Sequence, residues 1–132
     1  MEDARRFKRK EVSFSVLYEV NSPVTVRMYI GKREFDAVAS DLSEGGIAIL
    51  TKYTNYAIPA FTIVNLKFTL LNNAAIIAED RQRSMEIKGE VRSSLFMKEK
   101  AAYRLGISFI DMSDNERNFI ANFVKMSSFK TI

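Results

Sequence analysis

Apolar and polar residues alternate with a period of two along much of the chain. From Val12 to Val20, the side chains of Val12, Phe14, Val16, Tyr18 and Val20 fall on one side, and Ser13, Ser15, Leu17 and Glu19 on the other. That is the pattern of a strand with one buried face. Val24 to Ile30 reads as a second strand that turns at Gly31-Lys32 into a third, Glu34 to Ser40, whose Phe35, Ala37 and Ala39 share a face, so a hairpin is expected there. A short apolar run, Ile47 to Leu50, follows Gly45-Gly46. Three cleaner alternations come next: Val64, Leu66, Phe68 and Leu70; Met85, Ile87 and Val91; Tyr103, Leu105, Ile107 and Phe109. Seven candidate strands result.

Near the C-terminus the period changes. Ser113-Asp114-Asn115-Glu116 has the S-x-x-E spacing in which a serine hydroxyl caps the third helical N–H and the glutamate reaches back. Beyond it Phe119 with Phe123, and Ile120 with Val124, stand four residues apart and form an apolar stripe. A helix over 113–126 is predicted, covering an open end or a flank of the sheet structure. Short strands without alternating helices indicate an all-β chain with a C-terminal helix, a six- to seven-stranded antiparallel β-barrel. Residues 1–11 read as a flexible basic arm and 12–132 as a single domain. Asn72 to Ser84 is the one sizeable interruption, read as a loop or a frayed strand extension.

Composition narrows the chemistry. With 47% hydrophobic and 27% charged residues the chain can bury a core. Having no cysteine and no histidine, it lacks thiol nucleophiles, histidine bases, thiolate or imidazole zinc sites and disulfides. The acidic pairs Glu34/Asp36 and Glu79/Asp80 have no base or metal cluster beside them, so no enzyme is expected. No apolar run approaches membrane-spanning length and no leader pattern opens the sequence, so a cytoplasmic location without membrane insertion is expected. Arg5, Arg6, Lys8, Arg9 and Lys10 against Glu2 and Asp3 place +3 of the net +4 in the first ten residues. An anionic partner met at that arm is implied, with a solubilising tail as the plain alternative. Lys8 and Lys10 read as solvated.

Two motifs stand out. Arg5-Arg6-Phe7-Lys8-Arg9 gives R-x-x-x-R just before the first strand, and Asp41-Leu42-Ser43-Glu44-Gly45-Gly46 gives a D-x-S-x-x-G turn between later strands. In this order on an antiparallel barrel, with Gly89-Glu90-Val91-Arg92 and Tyr103 to Asp111 leading into the last helix, the sequence resembles the PilZ domain family, receptors for the bacterial second messenger cyclic di-GMP. The resemblance implies a six-stranded barrel with a C-terminal helix. It places Arg5 and Arg9 at the two motif arginines and Asp41, Ser43 and Gly46 at the turn positions. Arg6 stays open between a further phosphate contact and a solvated position. Cyclic di-GMP would be the ligand, with no separate cofactor, and a downstream protein the recipient of a conformational signal.

The residue types suit that ligand. Arginine can clamp a phosphate, pair with guanine O6 and N7, or stack on the base. A carboxylate complements the guanine N–H donors, a serine hydroxyl can donate or accept, and glycine admits close backbone approach. Two alternatives remain. One is a PilZ-like protein-interaction module without ligand binding. The other is a single-stranded nucleic-acid-binding barrel in which the basic arm tracks phosphates and the tyrosines stack bases. Tyr53, Tyr56 and Phe61, clustered after the fourth strand, read either as base-stacking residues or as core or rim packing of the barrel. The net +1 of the chain beyond the arm weighs against nucleic acid.

Overall fold

The computed structural model describes residues 9–30, 34–52, 58–71 and 82–127, and the fold is that of these residues. They form strands β1 (Lys10–Ser22), β2 (Phe35–Ser43), β3 (Gly46–Thr51), β4 (Ile63–Leu71), β5 (Gln82–Met97) and β6 (Ala102–Ile110), with helices α1 (Val24–Ile30) and α2 (Asp114–Ser127). The strands close into an antiparallel barrel in the order β1-β2-β3-β6-β5-β4, sealed by pairing of β1 with β4. Alternate residues enter the barrel and make one core, with Tyr18, Leu42, Ile49, Leu66, Leu70, Val91 and Leu105 essentially inaccessible. Closure leaves none of these strands with an unpaired edge.

Closure also explains where the alternation misleads. Val24 to Ile30 is a helix, not a strand, so the described residues hold six strands rather than seven. β1 is already paired with β2 on one side and β4 on the other, which leaves the next segment no edge to join. It coils instead, beginning with Arg27 N–H donating to the Pro23 carbonyl at 3.1 Å. Only Val26 of its first valines packs on the core; Val24 and Met28, four apart, face solvent. Tertiary context thus overrides the β propensity of Val-Thr-Val. The expected turn at Gly31-Lys32 lies outside the described residues, as do Tyr53, Tyr56 and all but the end of Asn72 to Ser84. Gln82, Arg83 and Ser84 belong to β5, where the Ser84 and Thr69 hydroxyls lie 3.1 Å apart across the strands.

The barrel begins earlier than the pattern suggests. Lys10 and Glu11, assigned by sequence to the arm, pair with Leu42 and Asp41. Helix α2 starts as predicted. The Ser113 hydroxyl accepts from Glu116 N–H at 3.1 Å, and the Glu116 carboxylate accepts from Ser113 N–H at 3.0 Å. Ile120 and Val124 are buried, and Phe119 and Phe123 pack against the core beside them. Contacts from α2 reach the start of β1, the β2–β3 turn and the start of β5, through Lys10 Nζ 3.9 Å from the Phe123 ring centre, Arg117 with Glu44, and Arg83 over Phe119. These all lie at one end of the barrel, which α2 therefore covers. Lys10, read as solvated, instead sits over an aromatic face.

Irregularities in two ladders decide which side chains face outward. The β2–β3 register slips between Ala39 and Asp41, and the β5–β6 register between Val91 and Ser93. In β2 the inward residues are Phe35, Ala37, Ala39 and then Leu42, so one extra residue reverses the alternation. That bulge turns Asp41 and Ser43 outward while keeping Leu42 in the core. In β5 the same device makes Arg92 the extra residue between Val91, which is buried, and Ser93, which is exposed.

Candidate ligand-binding site

A cleft of about 350 Å³ lies on the outer wall of the barrel, across β2, β3 and β6 and beside the end covered by α2. The strand register lays out its floor. One row across the sheet runs Asp41, Ala48, Gly106 and Ser93; the next runs Ser43, Gly46, Ser108 and Glu90. Between the polar residues at each side stand Ala48, Gly46 and Gly106, which leave a flat, shallow floor. Arg9, Arg92 and Arg104 also line the cleft, so three guanidiniums face one carboxylate among the charged lining residues. The site is positively charged.

Asp41 is its centre. Its Oδ2 accepts from Arg9 Nη2 at 3.1 Å and from Arg104 Nη2 at 2.9 Å, with the three side chains 22%, 32% and 29% exposed. Arg92 lies 3.5 Å from Glu90 and is more exposed. The Ser43 hydroxyl accepts from Gly45 N–H at 3.2 Å, which supports the turn, and Phe109 N–H donates to the Gly45 carbonyl at 3.0 Å. Gly46 lines the cleft, but the close approach at this glycine comes from β6: a Cβ there would collide with the Ile107 carbonyl oxygen. Its glycine is thus required by strand packing, whatever binds outside.

Of the residues singled out from sequence, Arg9, Asp41, Ser43 and Gly46 come together in this cleft. Arg5 and Arg6 lie outside the described residues. Phe61, 69% exposed, is not among the lining residues. Arg92 and Arg104 also line the cleft without being marked by motif spacing, and Arg104 is the one that meets Asp41. It stands 63 positions from Asp41 inside an ordinary strand alternation, and only the β3–β6 pairing brings it close.

Fold and cleft together define a closed antiparallel β-barrel with an arginine-lined outer groove beside a D-x-S-x-x-G turn. A family model described as the PilZ domain matches residues 3–126, and the chain belongs to that family. The same fold occurs in the inhibitor of motility MotI/DgrA of Bacillus subtilis, at TM-score 0.76 and 12% identity over 98% of this chain and 54% of that one. It occurs in the PilZ domain of YcgR from Escherichia coli, solved with c-di-GMP, at TM-score 0.62 and 11% identity over 97% and 94%. It occurs again in the MrkH–c-di-GMP complex of K. pneumonia, at TM-score 0.61 and 13% identity over 98% and 55%. The chain thus spans about half the length of MotI/DgrA and MrkH. No curated protein matches the sequence. Among the described residues no helix is long and apolar enough to cross a membrane.

Proposed function

We propose that the chain is a receptor for cyclic di-GMP, bound in the cleft by Arg9, Asp41 and Ser43 together with Arg5. The observation that carries this reading is the Asp41 carboxylate, turned outward by the β2 bulge and held between two guanidiniums beside a floor of glycine and alanine. Such a floor accepts a planar base, the carboxylate accepts from guanine N–H donors, and the guanidiniums meet phosphates or base edges. The YcgR and MrkH structures with c-di-GMP support the choice of ligand within the family. Arg6 is retained as a further candidate for phosphate. Ligand binding is passed on to a downstream protein as a conformational change.

Equilibrium dialysis with labelled cyclic di-GMP tests the assignment. Arg5→Ala and Arg9→Ala are each expected to weaken binding about tenfold or more, with little change in melting temperature, because a charge-assisted contact is lost outside the core. Binding by both variants as tight as wild type would remove the arm from the site. Tight binding of an unrelated single-stranded oligonucleotide with no saturable dinucleotide binding would instead favour the nucleic-acid barrel.

A further inference from the structure

Resting on the receptor reading, we infer that Arg104 is a positioning residue of this site: it is the standing counter-ion of Asp41, which lets Arg9 leave the carboxylate for the ligand. Both arginines meet the same oxygen, Oδ2, but they stand on unlike supports. Arg104 lies within β6, paired to Leu50 of β3 on one side and to Leu95 of β5 on the other. Arg9 precedes the first residue of β1 and has no ladder partner of its own. A side chain on a strand paired on both sides keeps its aim, whereas one at a strand's entry can turn without cost to the sheet.

The geometry of the wall shows how Arg104 reaches its partner. Asp41 is paired with Ala48, and Arg104 with Leu50, so the guanidinium spans β3 to meet a carboxylate two strands away. Ala48 lies in the row between them, and its small side chain leaves the path from Arg104 to Asp41 clear. A larger residue at 48 would stand in the path of that contact.

Electrostatics supplies the need. A ligand filling the cleft would remove water from Asp41, whose side chain now keeps 22% of its exposure. If Arg9 moved to a phosphate or base edge and nothing replaced it, a lone carboxylate would be left in a dry site, a costly arrangement. Arg104 removes that cost by staying. It also fixes Oδ2, so the carboxylate presents one orientation to the N–H donors of the base, which is where guanine selectivity would arise.

The test is calorimetric titration of cyclic di-GMP and cyclic di-AMP into wild type, Arg104→Gln, Asp41→Asn and the double variant, with Arg104→Lys in reserve should the glutamine variant fold poorly. Arg104→Gln is expected to weaken cyclic di-GMP binding roughly tenfold and to narrow the gap between the two dinucleotides, with the melting temperature little changed. Arg104→Lys, which keeps the charge but not the fork, should fall between. In the Asp41→Asn background the Arg104→Gln change should cost about twofold or less, since its partner is already gone. Wild-type affinity and selectivity in Arg104→Gln would overturn the inference. An equal loss in both backgrounds would also overturn it, by showing that Arg104 meets the ligand directly rather than through Asp41. No binding of either dinucleotide by wild type would overturn the receptor reading, and this inference with it.

Discussion

Gly46 and Gly106 both line the cleft, but an added methyl group would meet different neighbours. At Gly46 it meets the main-chain carbonyl of Ile107, which cannot move without parting β3 from β6. At Gly106 it meets the Ser93 hydroxyl at 2.6 Å, the end of a side chain that can rotate away. Gly46→Ala should therefore destabilise the barrel by on the order of 1–3 kcal/mol, seen as a lower midpoint in urea. Gly106→Ala should leave that midpoint nearly unchanged and weaken cyclic di-GMP binding by raising the floor of the cleft. Equal stability of the two variants would contradict the strand-packing role given to Gly46. D-x-S-x-x-G looks like a binding turn, yet its last glycine answers to a strand on its other side. Arg104 shows the converse, because a residue placed by strand order leaves no local trace.

Helix α2 was legible because its signals are local. The S-x-x-E cap and the four-residue spacing of Phe119, Ile120, Phe123 and Val124 lie within one segment, and the structure realises both. Ser113→Ala should cost about 1 kcal/mol through loss of the cap, measurable by thermal unfolding, whereas Glu116→Gln, which keeps an acceptor, should cost less. A larger loss from the glutamine than from the alanine would contradict the reciprocal cap. Helix α1 was illegible for the opposite reason. Val24 to Ile30 carries strand chemistry, and what denies it a sheet is the β1–β4 pairing of a closed barrel, made with residues some forty positions later. The bulge in β2 stands between these cases. The step from Ala39 to Leu42 breaks the alternation visibly in the sequence, but its meaning depends on which face the barrel buries.

The whole barrel closes around Tyr18, whose hydroxyl lies 2.9 Å from the Thr51 hydroxyl and whose ring packs 5.4 Å from that of Phe35. Burial raises the Tyr18 phenol above its ordinary value of 10.0, opposed in part by the Thr51 hydrogen bond. A folded-state value above the unfolded one means that the folded chain holds the proton more tightly. The stability tied to it is complete below pH 10 and is lost as pH rises beyond that. Urea midpoints should thus fall above about pH 10 for wild type and fall less steeply for Tyr18→Phe. Parallel curves would place the alkaline sensitivity elsewhere.

If this wall of the barrel reads a guanine dinucleotide, titration calorimetry of the wild-type chain will separate cyclic di-GMP from cyclic di-AMP. An adenine in place of guanine offers Asp41 no N1–H or exocyclic 2-amino donor and leaves a desolvated carboxylate facing an acceptor. A saturating isotherm is expected for cyclic di-GMP, with binding of cyclic di-AMP at least about a hundredfold weaker. Equal affinities that fall in parallel as salt is raised would contradict it, since they would mark a site that senses phosphate charge alone.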